Sequence, residues 1–131
     1  MKTLTLIVLL FTSQFAIANV TEEELICVAK STYHEVRSLS EKDWLKTANV
    51  AYNRKLKFNE YNFGAKSNHL CDIVKSRQYS SRHKLKCKLK ERKLYEKIIL
   101  TLKTKNWRTT TKAVYFTTTN KKVNYKEKWI K

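Results

Sequence analysis

The sequence predicts an α+β domain, mainly helical, that closes on a C-terminal β-hairpin. Three observations carry this reading. Apolar residues recur at three- and four-residue spacing through the middle of the chain, the period of an amphipathic helix. Beyond Asn106 the composition turns to Thr, Val, Tyr and Phe, which suit a pleated, half-buried surface. Apolar residues make up 42% of 131, enough to build a core and too many for wholesale disorder despite a net charge of +17. The length allows one domain.

The opening stretch reads as an export signal. Lys2 supplies the basic start, residues 4–18 the apolar body, and Ala16-Ile17-Ala18 the small-x-small ending. The run is about 15 residues, short of the ~20 that span a bilayer. Cleavage after Ala18 leaves a domain at 19–131 with no stable membrane span.

Thr21-Glu22-Glu23-Glu24 is a capping box, and its acids suit the positive end of a helix dipole. Leu25, Ala29, Thr32, Tyr33 and Val36 continue a helix over 22–37. Ser40 caps a second helix, with Trp44, Leu45, Ala48, Ala51 and Tyr52 as its inner face. Residues 55–66 form a polar and aromatic connection around Gly64. Ser67 starts a short third helix through Leu70, Cys71, Ile73 and Val74. A fourth spans 84–103 on Leu85, Leu89, Leu94, Ile98, Ile99 and Leu102, with Lys and Arg on its other face. Residues 113–118 and 123–129 form the strands, with a turn at 120–122.

Several chemistries are excluded. Gly64 is the sole glycine, so no glycine-rich phosphate loop, dinucleotide fingerprint or nucleophile elbow can be written. His34-Glu35 lacks the second His of a zinc protease, because position 38 is Ser38. Cys27, Cys71 and Cys87 contain no Cys-x-x-Cys pair, and in an exported chain three thiols allow one bridge with one left over. Counting does not settle which pair. His34, His69 and His83 read as ordinary polar residues. No metal and no cofactor are expected.

With 28 Lys and Arg against 11 Asp and Glu, the surface is strongly basic. Export and the absence of one aromatic-lined stripe argue against nucleic acid. An anionic envelope polymer explains the same charge by long-range attraction. Glu35 is the candidate for chemistry. It falls close to Val28 on a helical wheel, at the margin of the apolar face and in the last turn of the first helix. Both features suit a proton donor.

Cys27-Val28-Ala29-Lys30-Ser31-Thr32-Tyr33-His34-Glu35-Val36-Arg37 resembles the opening motif of SleB-type cell-wall hydrolases, roughly Cys-Leu-Ala, then Tyr-x-Glu-Ala-Arg-Gly-Glu. The family's Ala- and Val-rich helix ending in Asn-Arg matches Ala48 to Tyr52 running into Asn53-Arg54. A later block, Val-Cys-x-Val-Val followed by Gln-Phe-Ser, is similar to Leu70-Cys71-Asp72-Ile73-Val74 with Gln78-Tyr79-Ser80. Ala113-Val114-Tyr115-Phe116 and Lys128-Trp129 look like the closing hairpin.

The resemblance implies a lysozyme-like helical domain that cuts peptidoglycan glycan strands, as a lytic transglycosylase or muramidase. It assigns Glu35 as catalytic acid and base; Gln78, Tyr79, Ser80 and Tyr115 are the candidates for substrate binding, with plain core packing the alternative for Tyr79 and Tyr115. It also implies pairing of Cys27 with Cys71. The chain departs from the pattern where the family's second Glu falls on Leu39 and its Gly on Ser38. The small size and charge fit a monomeric phage lysis enzyme or a bacterial envelope enzyme. The rival expectation is a non-enzymatic, basic secreted protein that binds anionic envelope polymer or membrane.

Overall fold

The computed structural model describes residues 20–76, 79, 84, 90–119 and 122–128. Helix α1 spans Glu22–Val36, α2 Glu41–Leu56, α3 Leu70–Val74 and α4 Arg92–Thr104. Strands β1, Tyr115–Thr119, and β2, Lys122–Lys126, pair antiparallel with Phe116 opposite Tyr125. The domain is α+β and mainly helical, as its patterning predicts.

The caps explain the first two helix starts. Thr21 accepts the Glu24 amide while the Glu24 carboxylate reaches back to the Thr21 amide, a reciprocal capping box. Ser40 accepts from the Asp43 amide and starts α2. The third start differs from expectation. His69, not Ser67, caps α3, its Nδ1 accepting the Cys71 amide. The Ser67 hydroxyl instead accepts the His69 amide and donates to Asp72 at 2.6 Å, shaping the turn in front of the helix. Helix α4 begins at Arg92, later than the apolar spacing suggests, and Leu85 and Leu89 lie outside the described residues. The signal segment, Gln78, Ser80, His83, Cys87 and Trp129 also lie outside them. Strand β2 takes in Lys122, which the sequence places in the turn.

Helix α1 is the hub and packs on α2, α3 and α4. Val28, Ala29, Tyr33 and Val36 meet Ala48, Ala51, Leu70, Ile73, Ile98 and Leu102 in one apolar cluster. The Cys27 and Cys71 sulfurs are bonded, with Cα atoms 5.2 Å apart, and fasten α1 to α3. Trp44 donates its indole N–H to the Val36 carbonyl across the turn between α1 and α2.

Helix α2 buries more polar surface than its pattern suggests. Leu45 and Tyr52 are half-buried, whereas Thr47, Asn49 and Arg54 are buried. The reason is the chain that runs past them into the hairpin. Asn49 Nδ2 donates to the Arg108 carbonyl, and Asn49 Oδ1 accepts the Thr111 amide at 2.8 Å. Asn53 Nδ2 donates to the Thr111 and Ala113 carbonyls. Arg54 Nε donates to the Val114 carbonyl at 2.7 Å. Asn49, Asn53 and the Nε of Arg54 thereby pair with the backbone that leads into the hairpin.

Where α2 ends, Phe63 and Gly64 both take left-handed φ angles, 55° and 76°. The turn drives the Phe63 ring fully inside, beneath the Arg54 guanidinium. No helix among the described residues is long and apolar enough to cross a membrane.

Candidate functional site

Glu35 stands in the last turn of α1 and is half-buried. The neighbouring residues Tyr33 and Arg37 tie the same turn to α4. Arg37, the C-cap residue, lies over the Tyr33 ring at 4.9 Å and pairs with Glu91 at 3.6 Å. The Tyr33 hydroxyl accepts the Glu91 amide at 2.9 Å, and its ring meets Tyr95 edge-on. These contacts fix the end of α1 against the start of α4.

Tyr79 lies within the electrostatic reach of Glu35. It is 1% exposed, so it is packed inside rather than presented to a ligand. Its ring lies 5.8 Å from Phe116 on β1 and 4.9 Å from the Arg54 guanidinium. Arg54 is thus held between the Phe63 and Tyr79 rings, whose negative faces suit a buried cation. Arg54 Nη1 has no hydrogen-bond partner among the described residues. Burial pushes the Tyr79 phenol above its ordinary value; the Arg54 charge opposes this and the Glu35 carboxylate adds to it. Glu35, Tyr79 and Arg54 therefore share one electrostatic neighbourhood between α1, α2 and the hairpin.

His34, beside Glu35, is half-buried. Burial holds its imidazole below the ordinary value, helped by Arg37, Lys84 and Lys30 and opposed by Glu35. The position of the family's second carboxylate is Leu39, which packs against the core.

The structure does not bring every expected site residue together. Along a strand successive side chains point to opposite faces. Phe116 faces Tyr79, so Tyr115 points to the other side of the hairpin, half-buried opposite Lys126. Gln78 and Ser80 lie outside the described residues.

A cleft of about 620 Å³ lies elsewhere. Asn53 and Lys57 line one wall and residues 108–112 the other, and neither Glu35 nor Tyr79 belongs to it. Sequence reasoning missed this feature. Its only trace was the run Arg108-Thr109-Thr110-Thr111-Lys112, which reads as an ordinary polar connection.

Glu23, His69 and Cys71 place three potential ligand atoms within 4.8 Å of one another. The Cys71 sulfur is committed to its disulfide and His69 Nδ1 to the helix cap, so the cluster has no thiolate to offer.

No family model, curated protein or solved structure matches this chain.

Proposed function

We propose that the chain is an exported enzyme that cleaves peptidoglycan glycan strands, with Glu35 as its acid and base. The observation that carries the reading is the setting of this carboxyl. It is half-buried in the last turn of α1, and its charge is felt by the buried Tyr79, whose ring lies 4.9 Å from the Arg54 guanidinium. The motif resemblance around Glu35 and the Cys27–Cys71 bond that it implies add support.

A single carboxyl accounts for a complete cycle. Glu35 gives its proton to the glycosidic oxygen, the bond to the anomeric carbon breaks, and the substrate's own groups stabilise the oxocarbenium-like centre. The carboxylate then takes the proton of the same sugar's 6-hydroxyl as that oxygen bonds to the anomeric carbon. The product is an anhydro ring and Glu35 is restored. With Leu39 in place of a second carboxylate, this route is favoured over the paired-carboxylate scheme.

Incubation of the purified protein with peptidoglycan tests the proposal. Soluble muropeptides with anhydro ends are expected, and Glu35→Gln should lower their release at least about 100-fold. Release that persists in the variant would remove Glu35 from the reaction. Reducing ends would assign water, not the 6-hydroxyl, as the acceptor. The rival reading, a basic binder without catalysis, draws on the cleft that Glu35 does not line. Its signature is wall binding with no fragments released.

A further inference from the structure

We infer that the outer face of the hairpin is a docking surface for an acidic polysaccharide, a linear glycan whose sugars carry carboxylates. The inference does not depend on Glu35. Side chains along a strand alternate between two faces. One face of this hairpin is occupied by the fold. Phe116 meets the Tyr79 ring, Val123 packs against the core, and the Tyr125 hydroxyl donates to Asp43 on α2. The opposite face carries the cross-strand pairs Tyr115–Lys126, Thr117–Asn124 and Thr119–Lys122. Tyr115 is half-buried there and the other five are exposed.

Charge selects an anionic partner. The face holds two ammonium groups and no carboxylate. Neither Lys122 nor Lys126 belongs to an ion pair among the described residues, so their charge is not neutralised from within. They stand four residues apart on β2, about 14 Å along an antiparallel strand, so a polymer laid along the strands meets a cation at each end. The excess of basic residues draws such a polymer in from a distance.

The other side chains select a sugar. The Tyr115 ring offers an apolar face to the C–H face of a pyranose and a hydroxyl at its rim. The Thr117 hydroxyl and the Asn124 amide, paired across the strands in the next rung of the same face, supply donors and acceptors for sugar hydroxyls. One ring is too few for a nucleic-acid track, which stacks successive bases on successive aromatics. None of the six side chains is aliphatic, so the face has no wedge for a lipid layer.

Calorimetry of the full chain with hyaluronate oligosaccharides, which alternate an acetamido sugar with a carboxylate-bearing one, tests the inference at fixed salt. They should bind more tightly than uncharged chitin oligosaccharides of the same length. Tyr115→Val keeps both the charge and the strand preference and should weaken hyaluronate binding by about tenfold, whereas Tyr115→Trp should bind as the parent does. Because a strongly basic protein attracts any polyanion, two lysine pairs are compared. Lys122→Gln/Lys126→Gln should weaken binding by about tenfold, and Lys93→Gln/Lys97→Gln, on exposed positions of α4, by less than about threefold. The first pair removes no packing and keeps the test decisive if Tyr115→Val melts early. Parent-like binding by a folded Tyr115→Val, or equal losses in the two lysine pairs, would overturn the inference. So would oligothymidylate or phosphatidylglycerol vesicles that bind through Tyr115 as tightly, or a dimer in solution that Tyr115→Val dissociates. Glu35→Gln should bind as the parent does, so failure of the catalytic proposal is read separately.

Discussion

The two ends of α1 each carry a glutamate, about three turns apart and on the same side of the helix. At the N-terminal end Glu24 is 2% exposed and saturated with partners. Its Oε2 accepts from Lys55 Nζ at 2.7 Å and the Leu70 amide at 2.9 Å, and its Oε1 from the Thr21 amide. One carboxylate thereby joins the starts of α1 and α3 to the last turn of α2. At the C-terminal end Glu35 is half-buried in the last turn of the helix. Burial alone does not make a carboxyl available for chemistry. The more deeply buried of these two is committed to the fold, and the partly exposed one is the candidate for proton transfer.

That contrast can be broken most severely at the disulfide beside Glu24. Cys27→Ser/Cys71→Ser opens a link across a sequence separation of 44 and should cost about 4 kcal/mol in denaturant unfolding. Glu24→Gln should cost about 3 kcal/mol, because it leaves the Lys55 ammonium, largely buried, without its counter-charge. The acid limb of stability reports the same group. Burial alone would raise the Glu24 carboxyl, but hydrogen bonds from Lys55, Leu70 and Thr21 together with the Lys55 charge hold it below 4.5. A depressed folded value stabilises the native state above pH 4.5, and that contribution is lost as pH falls through the folded value. Urea midpoints between pH 6 and pH 3 should therefore fall less steeply in Glu24→Gln than in the parent.

Glu35→Gln sharpens the comparison from the other side. It should change unfolding free energy by less than about 1 kcal/mol, a loss typical of surface and boundary positions. A loss as large as that of Glu24→Gln would make Glu35 a second structural carboxylate. The smallest effect is expected at His34. Its folded value lies below 6.5, so the unfolded chain takes up the proton first as pH falls below 6.5. Stability should decline there, and His34→Gln should flatten that decline in midpoints measured across the same window.

Much of this arrangement was legible in the residues. The Thr21 box and the Ser40 cap mark helix starts by side chains that serve their own amides, and the Thr- and Tyr-rich tail marks the hairpin. Long-range satisfaction was not legible. Glu24 reads as a local cap, yet its second oxygen serves Lys55 and Leu70, which no spacing rule connects to it. Asn49 and Arg54 fall outside the inner face that the spacing predicts for α2, because their partners are backbone groups some 60 residues further along. His69 displaced the expected cap of α3 because an imidazole nitrogen serves an amide as well as a hydroxyl does. Motif resemblance, not counting, pointed to the Cys27–Cys71 pair.

The buried side chains of α2 have a consequence for how the domain comes apart. A lone two-stranded hairpin is barely stable in water. Here Arg54 holds the carbonyl before β1, and the Tyr125 hydroxyl from β2 donates to Asp43 at the opposite end of α2. Strands and helix are laced together along the whole length of that helix. They should melt in a single cooperative transition, and amide exchange in the hairpin should be as slow as in α2 rather than fraying ahead of it.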